Sequence, residues 1–184
     1  FANFHIKHPR FKKVSYFRLY MPKVLKKITR YFLYIDADLI CINSMEAFKK
    51  IDLEGKVLAA VSDLPEAVKT RSDFLGLKSG KYFNSGVLYM NLENIRKKGD
   101  LHTQTIEYLK EHPESDLPDQ DALNVIYKDD TLLIDENWNY FAESIRHADE
   151  RELKNKVYHY VGTLCTVNSQ TEMDYLYYKT LLNT

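Results

Sequence analysis

The stretch that most constrains this chain is Tyr31–Ile42, read Tyr-Phe-Leu-Tyr-Ile-Asp-Ala-Asp-Leu-Ile-Cys-Ile. An apolar run from Phe32 to Ile35 stops at two carboxylates, Asp36 and Asp38, and apolar residues then resume. A short run without polar alternation predicts a strand buried on both faces. Two acids directly after it are costly to bury unpaired, so they belong where the strand leaves the core. In open α/β sheets that point is the ligand crevice, at the carboxyl ends of the strands. Asp36 and Asp38 are two apart, so extended backbone would point both side chains the same way. Two carboxylates on one side of a backbone suit a hard divalent cation. The spacing fits equally well one Asp capping a helix and the other solvated.

The rest of the chain alternates strand and helix signals. Ser15 to Lys27 predicts a helix with Ser15 as N-cap, Tyr16, Leu19 and Tyr20 on one face, and an interruption at Pro22. Arg18 lies inside it and reads as a surface or ion-paired residue. Ser44 to Lys50 predicts a short helix capped by Asn43 or Ser44. Val57–Val61 is a second apolar run, ended by Ser62-Asp63, and Leu64 to Ser79 reads as a loop carrying some helix. Asn84-Ser85-Gly86 is turn chemistry just before a strand; Gly86 allows close backbone approach to a ligand, or serves a tight turn alone. Leu101 to His112 is a packing helix ended by Pro113. Leu117-Pro-Asp-Gln-Asp121 opens another helix through Tyr127, with Asp119 as a natural N-cap, which leaves Gln120 unexplained. Thr131–Ile134 and Val157–Val161 are strands, the latter with His159 at its centre, where a histidine is more often a satisfied core residue than a ligand. Glu172 to Leu182 is a closing helix. The alternation predicts an α/β sandwich with a mainly parallel sheet flanked by helices.

Composition narrows the function. The chain of 184 residues fits a single domain with a real core. Its 26 basic residues balance 26 acidic ones, which argues against a nucleic-acid partner. Lys and Arg crowd Lys7 to Arg30, where they suit a phosphate, a membrane surface or a solvated face. Cys41 and Cys165 lack metal spacing, as expected in a reducing compartment. No apolar run is long enough to span a membrane and no signal peptide is visible, so a cytoplasmic protein is expected, with at most peripheral contact at the inner face of the cell membrane. Only six glycines are present, none in a phosphate-cradling loop, and there is no Gly-x-Ser-x-Gly elbow.

Taken in order, Tyr34-Ile-Asp-Ala-Asp38, Tyr82-Phe-Asn-Ser-Gly86, Leu117-Pro-Asp-Gln-Asp121-Ala-Leu-Asn124, Asn137-Trp-Asn139 and His159-Tyr-Val-Gly162 resemble the glycosyltransferase family 8 enzymes. These are retaining transferases of the GT-A nucleotide-diphospho-sugar fold, close to bacterial lipopolysaccharide galactosyl- and glucosyltransferases. The resemblance runs from about Ser15 to Gly162. It implies that Asp36, Asp38 and His159 hold a divalent metal, manganese or magnesium, on the diphosphate of a UDP-hexose. It implies that Arg18, Asp36, Ala37, Asn84, Asp119 and Gly162 contact the donor, and that Gln120 sits beside the anomeric carbon as the catalytic residue. The acceptor it implies is a glycan such as lipopolysaccharide core.

Two departures from the family pattern stand out. The family begins with a strand–helix unit that cradles uracil, and no segment for it precedes Phe1, so the chain is expected to be an N-terminally truncated catalytic domain spanning 1–184. Where the family has a lysine three residues beyond the glycine, this chain has Cys165. Two alternatives follow: a haloacid-dehalogenase-like phosphatase, whose later acidic pair would be Asp129-Asp130, and a catalytically impaired sugar-nucleotide-binding relic.

Overall fold

A computed structural model of the chain describes residues 13–42, 44–77, 81–141, 157–161 and 172–182. In chain order the elements are α1 (Phe17–Leu25), β1 (Tyr31–Ile35), β2 (Leu39–Cys41), β3 (Leu58–Ala60) and α2 (Pro65–Leu75). They continue with β4 (Val87–Asn91), α3 (Leu92–Lys98), α4 (Leu101–Glu111), α5 (Pro118–Ile126) and β5 (Thr131–Leu133). β6 (Tyr140–Phe141), β7 (Val157–His159) and α6 (Glu172–Leu182) follow. No helix among the described residues is long and apolar enough to cross a membrane. The chain divides into two compact units, Phe1–Tyr34 with Leu53–Ile134, and Ile35–Asp52 with Asp135–Thr184.

The first unit is built on a sheet ordered β1-β4-β3-β5. β3 pairs antiparallel with β4 and parallel with β5, so the sheet is mixed where a mainly parallel one was expected. β3 and β4 are buried at every position, and Leu58, Leu88 and Met90 join Tyr108 and Leu123 in the core. β1 corrects the opening expectation: it is not buried on both faces. It sits at the outer position of the described sheet, with Tyr31 and Ile35 exposed and its three central residues half-buried. An edge strand has a neighbour on one side only, so its apolar run marks a half-covered surface.

Local chemistry explains several boundaries. α1 begins after Tyr16 without a side-chain cap, and Ser15 lies in a preceding 3₁₀ turn, so Ser15 is not the N-cap. Pro22 is buried within α1 and does not divide it. α2 occupies most of the stretch read as a loop carrying some helix: Pro65 starts it, where its missing N–H costs nothing, and Gly76 ends it at φ 62°, a left-handed conformation that suits glycine. The helix was hard to see because little of it is apolar and buried. α3 starts on Asn91, whose side-chain oxygen accepts from the Glu93 and Asn94 N–H groups.

The second unit holds a sheet ordered β2-β7-β6. β2 runs antiparallel to β7, with Leu39 opposite His159, and β6 runs parallel to it, with Phe141 opposite His159. Ile40, Tyr158 and Tyr160 form its core cluster. Ser44 caps the 3₁₀ turn Met45–Lys50 through the Glu46 N–H, and Phe48 packs on Trp138 at 4.4 Å.

Candidate functional site

The second unit brings Asp36, Asp38 and His159 together, with one ligand atom of each within 4.8 Å of the others. The two acids are not on extended backbone: they follow β1 through a turn at Ala37 and Asp38. What carries them to His159 is strand pairing. Leu39 lies opposite His159, and the Tyr160 N–H donates to the Asp38 carbonyl at 3.0 Å. Ala37 is exposed in the turn, and Gly162 lies outside the described residues.

The His159 ring is buried and its Nδ1 is 2.9 Å from the Asn139 side-chain oxygen, itself buried. An amide oxygen only accepts, so Nδ1 carries a proton and donates. In the neutral ring Nε2 then presents a lone pair toward Asp38 Oδ1 at 3.3 Å and Asp36 Oδ2 at 3.9 Å. A lone pair converging with two carboxylates is a set of donors that suits a proton or a metal ion between them. The mixed oxygen and imidazole donor set fits a divalent cation, and the buried Asn139 supplies the outer hydrogen bond that fixes a ligating histidine. Asn139 entered the sequence reading only as part of Asn137-Trp-Asn139; its role as the anchor of His159 was missed.

The first unit brings together Arg18, Asn84, Asp119 and Gln120. Asp119 is not the N-cap of α5. Leu117 holds that position without a side-chain bond, and Asp119 instead pairs with Arg18 Nε at 3.2 Å. Both are nearly fully buried. Arg18 also donates to the Ser85 carbonyl at 2.7 Å and to the Ser85 hydroxyl at 2.9 Å, and lies 4.5 Å from the Tyr34 ring centre. Tyr16 shares this pocket, and burial followed by the charge of Asp119 pushes its hydroxyl up to about 12. The Asn84 side chain closes its own turn by accepting from the Gly86 N–H at 2.8 Å, and its amide nitrogen donates to Asp63 at 3.3 Å.

Gln120 has a partner in every direction. Its oxygen accepts from the Ser85 N–H at 2.9 Å and lies 3.3 Å from the Ser85 hydroxyl. Its nitrogen donates to Asp63 at 2.7 Å and to the Tyr82 hydroxyl at 3.0 Å. Asp63 therefore links Asn84 and Gln120, and the sequence reading passed over it. The signal was present: Asp63 ends an apolar strand in the same way that Asp36 does. Asn124 completes the frame by bonding both the N–H and the carbonyl of Phe83, as a neighbouring strand would.

Comparison with known proteins places the fold and the family. The fold is that of GT-A glycosyltransferases. The structure of galactosyltransferase LgtC in complex with donor and acceptor sugar analogues superposes with a TM-score of 0.84 at 23% identity, covering 100% of this chain and 71% of that one. Glycosyltransferase GlyE of Streptococcus pneumoniae TIGR4 gives a TM-score of 0.69 at 21% identity, covering 93% and 43%. The family profile for glycosyl transferase family 8 matches residues 2–164, and the chain belongs to that family. Among similar sequences, the lipopolysaccharide 1,2-glucosyltransferase of Escherichia coli K12 is 30% identical over 158 residues, 84% of this chain and 45% of the relative. General stress protein A of Bacillus subtilis is 30% identical over 131 residues, 69% of this chain and 45% of the relative. The chain thus spans less than half the length of these curated relatives.

Proposed function

We propose that the protein is a metal-dependent retaining glycosyltransferase that moves a hexose, galactose or glucose, from a UDP-sugar to a glycan acceptor such as lipopolysaccharide core. The reaction would take place in the cytoplasm, with peripheral contact at the inner face of the membrane. The observation that carries this reading is the convergence of Asp36, Asp38 and His159 in a chain of this family, with Asn139 fixing the imidazole. Those three side chains would hold a divalent cation, manganese or magnesium. Bound there, it would offset the charge that develops on a departing nucleoside diphosphate, with no protonated general acid needed.

The clustered polar groups of the first unit suit the sugar. Arg18, Asn84, Asp63 and Asp119 offer donors and acceptors of the kind hexose hydroxyls require. The transition state carries oxocarbenium-like charge on the sugar, and the carbonyl dipole of Gln120 is a fixed partner for it. An amide is a poor nucleophile, so attack by the acceptor on the face the diphosphate leaves is favoured over a covalent sugar on Gln120. Asp129 and Asp130, the acidic pair of the phosphatase alternative, instead pair with Lys81 and Lys98. Together with the family membership, this sets that alternative aside.

Gln120→Ala is expected to lower turnover by about a hundredfold or more. It should also cost about 1–3 kcal/mol of stability, because the Ser85 N–H loses its acceptor in a buried setting. A variant that melts far below wild type yet keeps full turnover while folded would show a purely structural role. The proposal as a whole is tested on full-length protein with UDP-glucose, UDP-galactose and their N-acetyl forms, with and without manganese, by UDP release. Metal-dependent release from one donor is expected. Tight donor binding without release or transfer would mark a relic.

A further inference from the structure

Behind Gln120 lies a chain of buried polar groups to which the functional reading gives no task. Asp121 is fully buried, at 0% exposure. It accepts from two nitrogens of Arg71, from the Ser115 hydroxyl and from the Tyr82 hydroxyl at 2.7 Å. A carboxylate only accepts. Tyr82 therefore spends its one proton on Asp121 and turns lone pairs toward the Gln120 side-chain nitrogen, 3.0 Å away. At that distance the amide must present N–H. The opposite end meets the Ser85 N–H, which requires the amide oxygen.

We propose that Arg71, Asp121 and Tyr82 are positioning residues that set which way round the Gln120 amide sits, and so which of its ends is offered to the donor sugar. This rests on the role proposed for Gln120. Asp63 favours the same orientation, but it is only partly buried, and water or ligand hydroxyls compete for its oxygens. Tyr82 and Asp121 are wholly buried, so nothing bound at the surface reaches them. Burial, then the charge of Asp121, raises the Tyr82 hydroxyl far above its ordinary range, so it stays a donor. Arg71 supplies the countercharge that a buried carboxylate needs. The orienting signal thus starts from a fixed charge on α5 and reaches the amide through one hydroxyl. A displaced hydroxyl or a neutral residue at 121 removes that signal and leaves the orientation to the Ser85 N–H and Asp63.

Two readouts on full-length protein test this. In the ¹⁵N spectrum the Gln120 side-chain amide, identified by its loss in Gln120→Ala, should show both protons protected from exchange and a nuclear Overhauser contact to the Tyr82 ring. In Tyr82→Phe one of those protons should lose protection, and Arg71→Lys, which keeps the charge, should preserve the wild-type pattern. Turnover supplies the second readout. Tyr82→Phe should lower kcat by about tenfold, the loss of one hydrogen bond, with donor KM little changed. In a Gln120→Ala background the same change should cost nothing further, because its target is gone. An amide whose protons lie against Ser85 instead of Tyr82 would overturn the proposal. So would a Tyr82→Phe penalty that is equal in both backgrounds. If the wild type releases UDP from no donor, the functional reading fails, while the spectrum still decides the orientation.

Discussion

Asp121→Ala is expected to lower the unfolding free energy by about 3–5 kcal/mol. The side chain of Arg71 is 15% exposed and that of Asp121 0%, so Asp121 has no water to fall back on and Arg71 has little. Truncating Asp121 leaves the guanidinium without its countercharge and the Tyr82 and Ser115 hydroxyls without their acceptor. These groups come from α2, from the segment before β4, and from the approach to α5, so three parts of the first unit loosen together. Urea unfolding measures it: the midpoint should fall with the slope unchanged. An exposed pair is the control. Lys49 and Glu46 lie at 71% and 74% side-chain exposure, and breaking that pair should cost under about 1 kcal/mol. If Asp121→Ala unfolds within 1 kcal/mol of wild type, the network carries far less stability than its burial implies.

What the sequence revealed depended on the range of the interaction. Elements decided locally were legible: the helix at Leu101–Glu111, which Pro113 follows, the capped turn after Ser44, and the closing helix Glu172–Leu182. β3 and β4 showed as apolar runs because they are buried throughout. The similar run at Phe32–Ile35 belongs to an outer strand and is half-covered, since apolar composition does not report how many neighbours a strand has. Asp119 has the residue type of an N-cap, but the helix already begins at Pro118, and the Arg18 guanidinium, which is distant in sequence, holds its carboxylate. Tyr82 and Arg71 could not be found from spacing, because each gains its role from a partner on another element. The ordered motifs, not periodicity, singled out His159, and only the pairing of β2 with β7 shows how it meets Asp38.

Asp38→Asn is expected to abolish manganese-dependent turnover, a loss of at least about a thousandfold, as removing a ligand forfeits several kcal/mol of charge stabilisation. The three proposed ligands differ in how they are held. The His159 side chain is 4% exposed and tied to Asn139, whereas those of Asp36 and Asp38 are 22% and 53% exposed and can move toward an ion. The imidazole is thus the most firmly held of the three. Asp38→Asn removes a charge from the mobile, solvated side of the cluster, so it should leave the melting temperature nearly unchanged. Asn139→Ala acts differently. It touches no ion, but it frees the imidazole to rotate and leaves a buried Nδ1–H without an acceptor. A weakening of metal affinity by about 10–100-fold is expected, together with a measurable loss of stability. Manganese calorimetry separates binding from catalysis in both variants. Turnover that survives excess chelator, or manganese affinity that is untouched by Asp38→Asn, would show that Asp38 does not hold a catalytic metal ion.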